Sequence, residues 1–474
     1  MNTAQRIAKN TSALFAAQFI VSILGLVLSI FIARSLGDVI FGKYSFALAF
    51  TALFAVFSDL GYNTLLIREV ARDKSQASKY LNNVLCMRAL LSLVLFTLIV
   101  VTINLMRYPA DTKNVVYLFG IYTLVTSFSA IFKVTFRAFE KMEYEAGITI
   151  FTNTIRVSLG LLVLFLGYGL IELAWVFLFS GVFDVLFSFL VCERRFVRPK
   201  VELDLNFWKS TIKVALPLSM LSIFALIYVR TDTIMLSVMK GDAVVGWYNA
   251  AYNLVRGFKP IPHIFMNALF PLMSYYYVSS KDSLKIVYEK SFKYLLILGL
   301  PLAVGITLLA DKIIILLYGE QFYPSIIALQ ILAWDILLIF LYVCSAFISV
   351  STDKQNQMIV IAGCAALLNV ILNLFLIPSF SYVGAAIATI ATEGCLLASY
   401  MYLNSRYSYT ILFHKIIIKP VGACAVMGLF IYQFNEIGLI LQIIIAIILY
   451  FISLYLLRGF SDEDISLFKK LIGK

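Results

Sequence analysis

Six polar side chains recur at steps of three and four between residues 249 and 267: Asn249, Asn253, Arg256, Lys259, His263 and Asn267. That spacing sets them on one stripe of a helix. An arginine fork matches phosphate oxygens and a lysine supplies a point charge, so the chemistry on offer is capture of an oxyanion. Thr149, Asn153, Arg156 and Gly160 repeat the pattern more weakly. Thr11, Gln18, Ser22, Gly25 and Ser29 add a third stripe with Arg34 at its far end, and Arg230 stands two residues before Asp232. Asp59, Arg88, Asp184, Asp335 and Glu393 stand singly in apolar surroundings.

A charge at mid-bilayer costs about 2.5–3.5 kcal/mol on insertion scales, so such residues face a water-filled cavity or a partner. Both outcomes are open for the single charges. Asp184, Asp335 and Glu393 suit paired packing positions, Arg34 and Arg88 could snorkel to an interface, and Arg230 and Asp232 could pair. The 249–267 stripe differs, because two cations, a histidine and three asparagines make poor lipid contacts. It reads as the wall of a cationic cavity. The candidate substrate contacts are Arg256, Lys259, His263, Asn249, Asn253, Arg156, Asn153, Arg230, Arg34 and Arg88. Asp59, Asp232, Asp335 and Glu393 are the candidates to carry a coupling proton or Na⁺, although none has a spacing that demands it.

One other stretch resembles chemistry. In SLGDVIFGKYS (35–45), Gly37, Gly42 and Lys43 have the spacing of a phosphate-cradling loop. Such a loop needs a Ser or Thr directly after the lysine to hold Mg²⁺, but Tyr44 occupies that place and Ser45 comes one residue late.

The elements that must position these residues are set by composition. Of 474 residues, 62% are hydrophobic and only 14% charged, with a mean hydropathy of +0.93. Soluble domains run near 45–50% apolar and about 25% charged, so a bilayer must cover this surface. The fold class is all-α and polytopic. Fourteen stretches suit spanning helices, near 11–33, 44–66, 84–105, 115–135, 146–167, 171–192, 214–238, 246–272, 292–310, 326–350, 358–377, 382–403, 416–434 and 437–457. With the N-terminus inside, cytoplasmic segments hold 27 Lys and Arg and external loops 5, while the remaining 6 fall within spans or at their edges. That asymmetry puts both termini in the cytoplasm. It also accounts for the net charge of +12 without nucleic acid, since basic loops suit an anionic lipid surface. Pro260 and Pro262 remove backbone donors within the eighth stretch and are expected to kink it.

The 35–45 stretch has a partner. MKGDAVVGWYNAAYNL (239–254) aligns with SLGDVIFGKYSFALAF (35–50) at an offset of 204. Gly37/Gly241, Asp38/Asp242, Gly42/Gly246, Tyr44/Tyr248 and Ala47/Ala251 coincide, but Trp247 replaces Lys43. A phosphate loop would keep its lysine. The glycines suit a tight turn and close helix packing, and the aspartates suit capping of the helix that follows. The repeat divides the chain into six-helix lobes at 1–192 and 214–403, a basic cytoplasmic linker at 193–213, and two further helices with a cytoplasmic tail at 404–474. Six spans return the chain to one side, so the lobes are parallel repeats related by an axis along the membrane normal.

No enzyme signature competes. The two histidines, His263 and His414, form no metal motif, and neither a paired-carboxylate spacing nor a nucleophile elbow occurs. The six cysteines form no C-x-x-C, so neither a disulfide frame nor a zinc site is indicated. Arg6 and Lys9 precede a first segment too long for a cleavable signal.

Four stretches carry a family resemblance: ARSLGDVIFGKYSFALAF (33–50), SDLGYNTLLIREVARDK (58–74), RTDTIMLSVMKGDAVVGWYNAAYNL (230–254) and LLNVILNLFLIPSFSYVGAAIATIATE (367–393). The sequence resembles the prokaryotic polysaccharide transporter family, the O-antigen and lipid-linked oligosaccharide flippases of the multidrug/oligosaccharidyl-lipid/polysaccharide superfamily. The resemblance implies a MATE-like, V-shaped fold of two pseudo-symmetric lobes with alternating access to a central cavity. It implies a polyprenyl-(pyro)phosphate-linked glycan as substrate, moved from the cytoplasmic to the outer leaflet of a prokaryotic inner membrane. It also implies membrane lipids and other polysaccharide-assembly membrane proteins as partners. No organic cofactor is expected, and H⁺ or Na⁺ coupling stays open. The rival on the same fold is a cation-coupled multidrug or metabolite antiporter, which would favour an acidic, aromatic cavity.

Overall fold

The computed structural model describes residues 3–411 and 413–460, with side chains from Ser12 onward except those of 413 and 415. The expectations for Arg6, Lys9, the Thr11 side chain and the tail 461–474 lie outside the described residues. The described chain is helical from end to end, as a polytopic membrane protein must be where lipid offers the backbone no hydrogen bonds. The helices are α1 (Thr3–Ala55), α2 (Tyr62–Arg72), α3 (Ala77–Leu105), α4 (Ala110–Ala138), α5 (Met142–Phe165), α6 (Leu170–Arg195), α7 (Leu205–Lys240) and α8 (Asp242–Arg256). They continue as α9 (Pro260–Ser279), α10 (Lys281–Leu308), α11 (Ala310–Tyr318), α12 (Ser325–Ser351), α13 (Gln355–Ser405), α14 (Phe413–Gln433) and α15 (Leu439–Leu456).

Among the described residues, 11 segments are long and apolar enough to cross a membrane, against the fourteen stretches expected. Breaks in the chain explain much of the difference. The segments Ser12–Ser58 and Gln355–Ser405 run for 47 and 51 residues. At 1.5 Å per residue, each would be roughly 70–77 Å long, more than twice a hydrocarbon core of about 30 Å. Each contains one residue out of helical conformation, Gly37 (φ 82°, ψ 174°) and Ser381 (φ 54°, ψ −135°). The stretch expected at 44–66 is also interrupted: Leu60 and Gly61 both take positive φ, and α2 starts afresh at Tyr62.

At the expected kink the α-helical ladder gives way to tighter i→i−3 turns while the backbone stays right-handed. α8 ends at Arg256, and Gly257–Lys259 form tight turns before Pro260 and Pro262 open α9. Proline fits the first helical turn, where its missing N–H would have had no partner. The polar stripe therefore runs across two helices rather than along one.

By packing, one unit runs from α1 to Asn249 and takes in Asn373–Ser381. The second holds Ala250–Leu372 and the chain from Tyr382 onward. In the first, α4 packs on α6 and α1 on α5. There α2 buries Tyr62, Leu65, Leu66 and Val70 as one stripe against α3, α4 and α7. In the second, Gly299 lets α10 approach Leu337 and Phe340 of α12, and α14 and α15 pack beside α10.

Lipid is as apolar as leucine, so polar contacts between helices carry much of the specificity. Tyr288 of α10 and Ser345 of α12 share a hydrogen bond of 2.8 Å. Asn404 of α13 donates to the Ser345 carbonyl at 2.9 Å and accepts from Ser349 at 2.9 Å. Outward faces are apolar, with Leu93, Phe165, Phe375, Leu429 and Ile440 all exposed. Water would not tolerate so much of it.

Candidate functional site

The repeated glycines meet. A Cβ on Gly42 would overlap the backbone carbonyl of Asp242, and a Cβ on Gly246 would overlap that of Asp38. Gly37 and Gly241 share nearly the same left-handed φ, 82° and 90°. The two copies thus pack reciprocally, each glycine against the other copy's aspartate. Asp38 takes the Val39 N–H at 2.9 Å and the Trp247 indole N–H at 2.8 Å. Asp242 Oδ1 is buried with no hydrogen bond, and Asp38 takes the N–H of the next residue rather than one two or three places on, so the capping expected of the two aspartates is not seen at either. Lys43 pairs with Asp111. The backbone that would cradle a phosphate is filled by the other repeat, so the nucleotide-loop reading is excluded by packing.

Arg156 sits midway along α5. Its guanidinium lies 5.3 Å from the Tyr122 ring centroid and 5.2 Å from that of Phe177. Nε donates to Ser180 at 3.0 Å and Nη1 to Asn153 at 3.2 Å, while Asn153 itself donates to the Thr149 carbonyl at 2.7 Å. No carboxylate among the described residues pairs with Arg156. Cation–π contacts hold a guanidinium in place without cancelling its charge, so Arg156 remains a half-buried, charged group.

Several other charges of the first unit find partners within it. Arg88 is 1% exposed and does not reach an interface. Its Nη2 donates to Asp59 at 2.7 Å and to Asn63 at 3.2 Å, and Nη1 to the Ser127 carbonyl at 2.5 Å. Asp59 also accepts the Asn63 N–H at 3.0 Å, so the pair locks the break between α1 and α2. Asp184 accepts from Lys133 at 2.7 and 2.8 Å, from Ser129 at 2.5 Å and from Thr152 at 3.2 Å. Asp232 accepts from Tyr248 at 2.7 Å and from Asn373 at 2.6 Å. Arg230 is half-buried on α7 and Arg34 is exposed on α1. Asn249 is buried and bonds Thr233 of α7 at 3.2 Å, which ties α8 to α7.

In the second unit, Arg256 and Lys259 share one aromatic platform, 5.7 and 5.4 Å from the Tyr252 ring centroid. Lys259 Nζ lies 3.9 Å from Asp335 Oδ2. Asp335 and Glu393 are both 0% exposed, whereas the Lys259 side chain is 25% exposed. Asn253 is half-buried. His263 is exposed, edge-on to Phe347 at 6.4 Å, and its carbonyl accepts from Asn267 at 2.7 Å. An apolar cavity of about 390 Å³ opens between α10–α11 and α14–α15, lined by Phe258, Leu298, Pro301, Ile306, Met427 and Ile447.

Sequence reasoning missed the aromatic supports Tyr122, Phe177 and Tyr252, and the partners Lys133, Tyr248 and Asn373. One signal was available, because Tyr252 lies four residues before Arg256 on the same helical face. Tyr248 was marked only as part of the repeat, and the others arrive from separate helices.

Comparison with known proteins places this arrangement. Residues 7–277 match the family model described as polysaccharide biosynthesis protein, and residues 217–375 match the MatE model. A Staphylococcus aureus protein, "Capsular polysaccharide biosynthesis protein CapF", is 24% identical over 415 residues, covering 84% of this chain and 99% of that protein. "Probable low-salt glycan biosynthesis flippase Agl15" of Haloferax volcanii is 27% identical over 214 residues, 44% of this chain and 43% of that protein. Among solved structures, lipid II flippase MurJ in an inward closed conformation gives a TM-score of 0.79 at 17% identity, covering 94% of this chain and 98% of that one. An inward-facing multidrug resistance transporter of the MATE family gives 0.66 at 14% identity, covering 82% and 96%. At such identities the structures speak for fold alone, while the first family model spans more than half of the sequence. The chain therefore belongs to the polysaccharide biosynthesis protein family, a group of polytopic membrane transporters in the MOP superfamily.

Proposed function

We propose that this transporter is a flippase that carries a polyprenyl-(pyro)phosphate-linked glycan from the cytoplasmic to the outer leaflet of a prokaryotic inner membrane. The observation that carries this reading is Arg156: a cation midway along a membrane helix, held on two rings, with no carboxylate partner among the described residues. Such a group is costly in a bilayer unless it faces a water-filled cavity or a partner, and an anionic solute supplies such a partner. Arg256 and Lys259 on Tyr252 offer a second cationic centre. The apolar cavity beside α14 and α15 suits a stretch of isoprenoid chain. The names of the capsular polysaccharide and glycan flippase relatives agree with this substrate class.

In this mechanism fourteen crossings form two six-helix lobes plus two helices, with both termini cytoplasmic. The reciprocal contact of 37–42 with 241–246 acts as the external closure that parts in each cycle of alternating access. A cation-coupled drug antiporter would draw on Asp335 and Glu393, but their complete burial behind a more exposed lysine favours an anion.

The test is reconstitution in liposomes with a lipid-linked oligosaccharide, scoring its movement between leaflets. Arg156→Ala and Arg256→Ala are each expected to slow transport at least about tenfold, the effect of roughly 1.4 kcal/mol lost at one charged contact. Lys281→Ala, at the exposed start of α10, should transport normally. Proton-driven efflux of a cationic dye without glycolipid movement would overturn the reading.

A further inference from the structure

The basic stripe is backed by acid. Asp335 comes from α12 and Glu393 from α13, and both are fully buried. Asp335 stands 3.9 Å from Lys259 Nζ, and Glu393 lies within electrostatic reach of the same ammonium. Arg256 and Lys259 share the Tyr252 ring on the more exposed side. Also nearby are His263 on α9, Tyr342 on α12 and Tyr400 on α13, the last two stacked at 6.4 Å. α10 meets this part of α12 through Gly299 and apolar neighbours. Asp335 thus backs Lys259, Glu393 lies within electrostatic reach of the same ammonium, and the two cations are more exposed than either carboxylate.

This layering has a consequence for charge. An oxyanion that docks on Lys259 and Arg256 takes over the positive charge that stabilised the carboxylates behind them. Two buried carboxylates next to an added anion, in a medium of low dielectric, cannot all stay ionised at little cost. The least costly response is uptake of one proton from solution onto a carboxylate oxygen, with the partly exposed Lys259 between the carboxylates and water.

We propose that Asp335 and Glu393 form a proton-accepting site tied to Lys259 and Arg256, so that an anionic solute and a proton are taken up together. The coupling is reciprocal: anion binding favours protonation and protonation favours anion binding. Its sign is opposite to that of an exchanger, in which a cationic solute and a proton compete for one carboxylate. The proposal rests on the reading that an oxyanion binds at this stripe.

Farnesyl diphosphate, at a pH where it is fully ionised, serves as the probe for the purified full-length protein in nanodiscs. Titration calorimetry in two buffers of different ionisation heat counts the protons exchanged. Uptake of about one proton per bound probe is expected, with affinity weakening about tenfold for each unit rise in pH. The Asp335→Asn/Glu393→Gln variant should bind with no proton uptake and no pH dependence. Wild-type binding without proton uptake would overturn the proposal and leave the flippase reading intact. No binding by the wild type, or unchanged binding in Lys259→Gln/Arg256→Gln, would remove the anion site and the coupling with it. If the carboxylate variant does not fold, the two-buffer measurement on the wild type still decides.

Discussion

Asp184→Leu is expected to destabilise the protein by about 3–5 kcal/mol, the usual cost of removing one partner from a buried ion pair. Asp184 is 6% exposed and holds together three helices. Lys133 and Ser129 reach it from α4 and Thr152 from α5, while Ser188 of its own helix supports Ser129 at 3.1 Å. The substitution leaves Lys133, whose side chain is 14% exposed, without its counter-charge. Lys133→Met/Asp184→Leu should recover most of the loss, because an apolar pair of similar volume avoids desolvating either charge. Thermal unfolding in detergent, followed for both single variants and the double, gives the coupling energy. A double variant as unstable as the sum of the singles would show that the two charges do not act as a pair.

Gly246→Val is expected to lower transport at least about tenfold without preventing membrane insertion. The Asp38 carbonyl occupies the space where the new Cβ would go, and backbone, unlike a side chain, cannot rotate away. Overpacking of this kind costs about 1–3 kcal/mol where neighbours can shift, and here the strain falls on the contact proposed to close the external side. Gly42→Val should behave alike, because its Cβ meets the Asp242 carbonyl in the same way. Gly147→Ala on α5 is the control, since no atom lies within 4 Å of the added carbon. An Asp38→Cys/Trp247→Cys pair reports the contact directly. It should cross-link in the otherwise native chain and fail to do so with Val at 246. Undiminished transport by both valine variants would show that close approach of the repeats is not required.

How far the sequence could be read depended on distance along the chain. The repeat was visible because its marks are local: two glycines at fixed spacing, an aspartate and a tyrosine, each required by backbone geometry within a few residues. The α8–α9 stripe was visible as a set of positions, but its continuity was not. Gly257–Lys259 end one helix and Pro260 opens another, and hydropathy does not register that change. The same blindness applies to the second stretch, which stays apolar through 44–66 although the backbone breaks at Leu60 and Gly61.

By itself, the sequence determined that the chain is a polytopic helical membrane protein, that two of its segments share a glycine-aspartate-tyrosine pattern, and which cations stand in apolar helical stretches. These follow from apolar run length, spacing and residue type. Tertiary structure alone decided what each charge meets. Arg88 and Asp59 are 29 residues apart, Asp184 and Lys133 are 51, and Asp232 and Asn373 are 141. No periodicity along one helix can specify a partner delivered by another. Arg156 and Arg256 looked alike in the sequence, yet one rests on rings without a carboxylate and the other stands in a cluster with two buried acids. Burial raises the cost of an unmatched charge, so the packed helices set which cations meet carboxylates and which rest on aromatic rings instead.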